Sequence, residues 1–300
     1  MSRACSVSAR RPYGKARVCR LWGIPRSTVY ARQAASVRTS TPQRPGRPAV
    51  VPDETLLALV RGVIRDTEAL GITGEGYRKL WARLKGQGEV VCRERLRRLL
   101  RDHGLQAPHR QGTARGSQVH DGTIIPEAPN QMWGTDATQA LTGEGMATIF
   151  VAIDHFVGDV VGIHAARPGT RHEALEPIHQ GIREHFGGLR QGVAKGLTLR
   201  HDNGPQYISG HFQNELAFLG IESSPSFVRS PQGNGSAERF IRTLKEQLLW
   251  IRRFETVEEL RCELMAFKER FNRHWLLQRH GHKTPAQVRT AHLAEPAMAA

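Results

Sequence analysis

The chain has 300 residues, 39% of them hydrophobic, and a net charge of +15. That length allows two or three domains and at least one sizeable core. No apolar run approaches a membrane span, and the basic first twenty residues hold no apolar secretory segment. The four cysteines, Cys5, Cys19, Cys92 and Cys262, form no CxxC pair and point to neither a zinc site nor a disulfide framework, so free thiols in a reducing cytoplasm are the expectation.

The charge is unevenly placed. Residues 1–125 carry 24 Lys and Arg against 9 Asp and Glu, whereas residues 126–300 carry 19 of each. A generally basic, solvated surface would spread its charge evenly. A concentrated excess is the electrostatic footprint of a nucleic-acid binder.

In chain order, "ARVCRLWGIPRSTVYARQ" (16–33) reads as two short helices around Gly23, with Val18, Leu21, Trp22, Ile24 and Val29 apolar. Gly permits the tight turn and Pro25 suits the first turn of a helix, which makes a helix-turn-helix pattern. In that geometry Arg26, Ser27 and Thr28 face a DNA major groove. Residues 40–52, "STPQRPGRPAVVP", are Pro-rich and read as an extended tether, although Arg44 and Arg47 also suit a minor groove. Residues 53–108 read as helical, with an apolar stripe through Tyr77, Leu80, Trp81 and Leu84 and another through Leu96, Leu99 and Leu100. The last of these helices projects Arg93, Arg95, Arg97, Arg98 and Arg101, with few acidic residues to neutralise them. A second helix-turn-helix-like unit with this helix against DNA phosphate is expected; a solvated amphipathic helix is the alternative. Residues 109–127 read as a linker.

From 128 to 290 the texture changes. Strands in "QMWGTDATQAL", "MATIFVAIDHFVGDVVGIHAA" (a pair turning near Gly158), "GLTLRHDNG" and "IESSPSF" alternate later with helices, which indicates a mixed-sheet α/β domain. Three acidic residues stand at element edges: Asp136 in the first strand, Asp202 after "LTLRH", and Glu238 opening the helix of "SPQGNGSAERFIRTLKEQ". Singly, each has an ordinary role: an exposed strand residue, an Asp in a turn, and a carboxylate complementing the positive end of a helix. Together they suit phosphodiester chemistry. Two divalent ions about 4 Å apart can activate a nucleophile and stabilise the leaving oxygen. Magnesium asks only for a few hard oxygen ligands converging from different elements. Arg242 and Lys245, four and seven residues after Glu238, lie near its side of the helix and make a rail for a DNA strand. Pairing of Arg242 with Glu246 or Glu238 is the alternative.

The order Asp, Asp, 35 residues, Glu, then Lys seven later resembles the integrase-type DDE core of bacterial insertion-sequence transposases. The words "WGTDAT", "HDNGPQY", "SPQGNGSAERFIRTLKEQ" and "FNRHW…HGHKTPAQV" match as well, and "GYRKLWARL" resembles the helix-turn-helix region preceding such cores. The resemblance covers about residues 60–290 and suits a product of the second of two overlapping frames. It implies an RNase H-like fold, Mg²⁺ or Mn²⁺ as two ions, and cleavage followed by strand transfer. Asp136, Asp202 and Glu238 then become metal ligands, Lys245 a contact to the element's end, and Asn203, Asn234 and Gly235 residues that shape the site. In "DHFVGDVVG" the chain departs from relatives, which often have Ser and Arg where Val157 and Gly158 stand. Asp154 is expected to be structural, and His201 is a candidate for proton transfer or phosphate contact.

The function expected is that of a DNA transposase, acting on its terminal inverted repeats and on target DNA. It is expected to be a homo-oligomer in a bacterial cytoplasm near the nucleoid, with an upstream-frame protein as a possible partner and no membrane association. Two alternatives stand: a nuclease of the same fold that never joins strands, and a non-catalytic DNA-binding descendant.

Overall fold

The computed structural model describes residues 5–8, 10–37, 51–108, 126–225 and 234–294. Most of both linker segments, with Arg44 and Arg47, lies outside the described residues, as does the Pro-Gly entrance 230–233 before Glu238. The chain divides into two compact units, residues 1–50 and 51–300.

In the first unit, α1 (Lys15–Leu21) and α2 (Arg26–Val37) flank Gly23, whose φ of 62° is the left-handed conformation the turn needs. The amide of Ile24 closes the first helix onto Cys19 O at 2.9 Å. Arg26, Ser27 and Thr28 are exposed on the first turn of α2. The apolar stripe read from the sequence does not close into a core. Cys19 is buried, but Leu21 and Trp22 stay 84% and 60% exposed. Two short helices have too few faces to enclose such residues.

The second unit opens with α3 (Asp53–Ala69), α4 (Tyr77–Gly86) and α5 (Arg93–Asp102). Their apolar stripes meet in a core of Leu56, Val60, Leu80, Leu84, Leu96 and Leu100. The arginines of α5 are better partnered than the sequence suggested. Arg95 is held at 2.6 Å by Asp53 and donates also to Val51 O, Arg97 pairs with Glu94, and Arg101 pairs with Asp102. The acids come from the same helix and from the start of α3, so local counting on α5 alone missed one of them. Arg95 is thus committed inside the protein, while Arg93 and Arg98 have no acidic partner among the described residues.

The remaining elements build a five-stranded mixed sheet. In chain order they are β1 (Met132–Thr142), β2 (Gly145–Asp154), β3 (Val160–Ala166), α6 (Glu176–Phe186), β4 (Thr198–His201), α7 (Pro205–Ile208), α8 (Gly210–Leu219), β5 (Glu222–Pro225), α9 (Gly235–Leu244), α10 (Val257–His274) and α11 (Pro285–Ala294). The strand order is β3-β2-β1-β4-β5. β1, β2 and β3 pair antiparallel, and β4 and β5 add in parallel beside β1. Both faces are covered. On one, Ile149, Val151 and Ile153 pack against Phe240, Leu244, Leu260 and Leu264 of α9 and α10. On the other, Trp133, Phe150 and Val161 pack against Ile178 and Ile182 of α6 and Phe212 and Leu216 of α8. Burial on both faces is why β2 reads as a continuous apolar run. Gly162 is required where α6 meets β3, since a Cβ there would overlap the Pro177 carbonyl.

The outer edge of β3 is sealed by side chains. Asn272 of α10 accepts from Val160 N at 2.9 Å and donates to Val160 O at 3.0 Å. Gln180 of α6 does the same for Ile163 at 3.1 Å each way. Arg261 caps Ala165 O and Lys268 caps Val161 O. A strand edge that would otherwise recruit another chain is thereby satisfied within the fold.

Candidate active site

β1 lies at the centre of the sheet, and its alternation decides what faces each layer. Trp133 and Thr135 point one way. Gly134 and Asp136 point the other, towards α9. Gly134 is in register with Arg200 of β4, so Arg200, and Asp202 two residues on, share that face. Leu199 and His201 lie on the opposite face. The parallel pairing of β1 and β4 thus brings Asp136 and Asp202 to the same end of the sheet, although 65 residues separate them in the chain.

The third carboxylate arrives with α9. Asn234, buried at the N-terminus of that helix, donates from Nδ2 to Thr135 O at 2.7 Å. That carbonyl belongs to the residue before Asp136, so one side chain ties the helix bearing Glu238 to the strand bearing Asp136. Close approach demands Gly134, because a Cβ there would overlap His155 Nε2 and Asn234 Oδ1.

The electrostatics report the convergence. The carboxyl of Asp136 is pushed up to about 6, chiefly by burial; the Ala137 amide and Lys245 oppose the rise, while the charges of Asp202 and Glu238 add to it. Asp202 is exposed, and its Oδ1 accepts from Gly204 N at 2.9 Å in a turn that sets its direction. Among the described residues no three His, Cys, Asp or Glu side chains close on a metal-binding spacing. The three carboxylates sense one another without forming a finished ligand shell. Their chemistry still fits a divalent cation: all donors are hard oxygens, and a cation offsets both the burial of Asp136 and the added repulsion from Asp202 and Glu238.

The flanks divide. Lys245, half-buried, begins a single π-turn (Lys245–Leu249) that follows α9, so the helix does not run on regularly as the sequence implied. Arg242 pairs with Glu246 at 3.0 Å, which was the alternative reading of this residue. Asn203 is exposed beside Asp202, and Gly235 opens α9 with open space around its α-carbon. Arg26, Ser27 and Thr28 belong to the other unit, and the arginines of α5 are not part of this cluster.

Two residues named at the sequence level prove structural. His201 is buried, with Nδ1 on Asp202 O at 2.6 Å and Nε2 on Ser223 Oγ at 2.9 Å. It faces away from the carboxylates. Asp154 is fully buried, accepts from the amides of Asn130, Phe156 and Val157, and pairs with Arg289. Three residues were not anticipated. Gly134 lies within the quoted word "WGTDAT", and Tyr207 ends "HDNGPQY"; the Tyr207 phenol is driven up mainly by burial, with Asp136 and Asp202 adding to it. His155 had no local signal at all. Its imidazole is held neutral, lowered to about 4 by burial and then by the charges of Arg200 and Arg279.

Residues 126–231 and 219–285 each match the integrase core domain family, and residues 53–112 match an HTH-like domain. A Mycobacterium tuberculosis protein named as a transposase for insertion sequence element IS986/IS6110 is 28% identical over 233 residues, covering 73% of this chain and 83% of the relative. The transposase for insertion sequence element IS629 of Shigella sonnei is 24% identical, covering 73% and 75%. Among solved structures, the catalytic core domain of BIV integrase superposes with a TM-score of 0.41 at 23% identity, covering 54% of this chain and 95% of that one.

Proposed function

We propose that this chain, which carries the integrase core and HTH-like domain found together with similarity to insertion-sequence transposases, cuts the ends of a mobile DNA element and joins them to target DNA. The coarser part of this reading, a polynucleotidyl-transferase-type enzyme of DNA transposition, rests on the matched domains and relatives. The finer part is supported by one arrangement: the β1–β4 register and the Asn234 bond to Thr135 O draw together the elements that bear Asp136, Asp202 and Glu238.

Asp136, Asp202 and Glu238 would hold Mg²⁺ or Mn²⁺, as two ions. When bound, such a pair lowers the pKa of the attacking hydroxyl and neutralises charge on the leaving oxygen. The residues do the rest. β1 and α9, tied by Asn234, hold two carboxylates at fixed separation, which limits reorganisation during reaction. The Gly204 amide fixes one oxygen of Asp202. Lys245 supplies positive charge beside Asp136 for the phosphate backbone. Water would attack the phosphodiester at the element's end and expel its 3′-oxygen as a 3′-OH; that 3′-OH would then attack a target phosphodiester at the same carboxylates and expel a target 3′-OH.

End recognition is assigned to the helical portions. Arg26, Ser27 and Thr28 on α2 suit a major groove, and Arg93, Arg97 and Arg98 on α5 suit phosphate. Because two ends must be joined in concert, a homo-oligomer is the working form. Among the described residues no helix is long and apolar enough to cross a membrane.

The test uses a duplex bearing the inverted repeat that borders the gene. Asp202→Asn should lower cleavage at least about 100-fold while end binding stays within a few-fold of wild type. Undiminished nicking defeats the proposal. Precut ends incubated with a plasmid should give joined products; hydrolysis without joining favours a nuclease, and binding without any cutting favours a non-catalytic DNA-binding protein.

A further inference from the structure

The segment between α10 and α11, residues 275–284, takes no part in the carboxylate chemistry, yet it is shaped with care. Leu277 and Lys283 pair as an antiparallel bridge, with Leu277 N on Lys283 O at 3.0 Å. Gly281 and His282 both take left-handed conformations, at φ 65° and 67°. For a β-substituted residue such as His282 that conformation is uncommon and must be held by its surroundings. The result is a tight hairpin with two sides.

One side reaches the carboxylates. Arg279 donates from Nη2 to Phe156 O at 3.0 Å, and its guanidinium occupies the space over Gly158; a Cβ there would lie 2.6 Å from Nη2. Phe156 follows His155, whose ring sits over Gly134, and Gly134 is in register with Arg200. Arg279 and Arg200 therefore flank one imidazole, which both drive to its neutral form. Arg239, exposed next to Glu238, repels Arg279 in turn. Three guanidiniums from β4, α9 and the hairpin thus gather beside the carboxylates. The nearby acids Asp154 and Asp159 are taken by Arg289. None of the three arginines has an ion-pair partner among the described residues.

The other side reaches the helices of the HTH-like domain. Lys79 lies 3.3 Å over the Trp275 ring, while sharing Glu75 with Arg83. Arg78 reaches Gln278 at 3.5 Å. Arg93 is stacked on Trp81 at 4.0 Å, so an aromatic face rather than an acid holds it. Between these cations sits His282, its Nε2 buried with no hydrogen-bond partner among the described residues. Its proton affinity is lowered by burial and by Arg93, Lys79 and Arg78.

Crowding like charges without counter-ions costs free energy that an anionic ligand returns. The spacing is informative: one cation cluster borders the carboxylates, another lies on α4 and α5, and a single hairpin touches both. We propose that residues 275–284 form a DNA guide, whose two cation clusters grip backbone phosphates of the strand running from the HTH-like domain to the carboxylates. The guide rests on the transposase reading and adds to it a surface built from Arg200, Arg239, Arg279 and Arg78, next to the Arg93 already assigned to phosphate. Guanidinium forks suit phosphate oxygens in pairs. The contacts are to backbone, so they position the strand without reading its sequence.

The test is fluorescence anisotropy with two duplexes, one bearing the inverted repeat bordering the gene and one of random sequence, over a range of salt without divalent ions. Arg239→Gln, Arg279→Gln and Arg78→Gln should each reduce the slope of log K against log salt by about 0.9, and weaken both duplexes several-fold alike. Arg279→Lys should restore slope but not full affinity. Arg279 also braces Phe156, so thermal melting accompanies each variant; Arg239, exposed on α9, keeps the test decisive if Arg279→Gln melts early. Wild-type slope and affinity in Arg239→Gln and Arg78→Gln overturn the guide and leave the transposase reading standing. A wild-type chain that binds neither duplex overturns the transposase reading itself.

Discussion

Asn234 and His155 carry more of the site than their place in the sequence suggests. Both side chains crowd over Gly134, and Asn234 fixes the carbonyl next to Asp136. Gly134→Ala should therefore cost about 1 to 3 kcal/mol of stability and disturb the carboxylate spacing. Chemical denaturation measures the first effect and end cleavage the second; a variant with wild-type values in both would contradict this packing. His155 also sets a pH dependence. The folded state resists its protonation until about 4, whereas the unfolded chain takes up that proton near 6.5. The folded pKa is depressed and the protonated form is the charged one, so stability is complete above about pH 6.5. It falls as pH drops towards 4, by about 3 kcal/mol in total. His155→Gln should flatten this limb relative to wild type in urea titrations at stepped pH. An unchanged slope would remove His155 from the account. All three stood in words quoted from the sequence, but only Gly134 and Asn234 in words that also carry a site carboxylate. His155 follows a structural aspartate, and nothing nearby marks its burial or its two arginine neighbours.

At the scale of elements, strands and helices were legible because their periodicities are local. The run "ATIFVAID" reads as a strand covered on both faces, and α6 and α10 supply the cover. What local pattern could not reveal is how edges are finished. Asn272 and Gln180 sit on helices as ordinary polar residues, yet each satisfies both the amide and the carbonyl of a β3 residue. Asn272→Leu should leave the Val160 pair unsatisfied, cost about 2 to 4 kcal/mol, and promote self-association. Urea unfolding and light scattering check the two effects; unchanged stability and unchanged scattering would show that water takes over both groups. The π-turn after α9 is likewise invisible to periodicity, since it inserts one residue into a sequence that reads as regular helix.

Across the whole second unit, the HTH-like domain is fastened to the core by few polar contacts. Glu75, its side chain 2% exposed, grips Arg83 at 2.6 Å, and Arg83 donates also to His274 O at 3.1 Å at the end of α10. Gln247 of the π-turn accepts from Thr73 N and donates to Thr73 O. Arg83→Met strands a buried carboxylate with only Lys79 at 3.9 Å. It should cost about 3 to 5 kcal/mol and split one thermal transition into two as the helical part uncouples. A single transition at the wild-type temperature would show that the fastening lies elsewhere.

By itself the sequence determined the element types, the basic first part of the chain, the order of the three carboxylates, and the resemblance that named an RNase H-like core. All of these depend on residue identity and short spacing. Only the tertiary structure decided that Arg95 is spent on Asp53, that His201 faces away from the carboxylates, and that a hairpin after α10 sets Arg279 beside Arg239. Each of these depends on which strand pairs with which and on what is left without a counter-ion. Distance in space, which sets burial and Coulomb energy, is not written in distance along the chain.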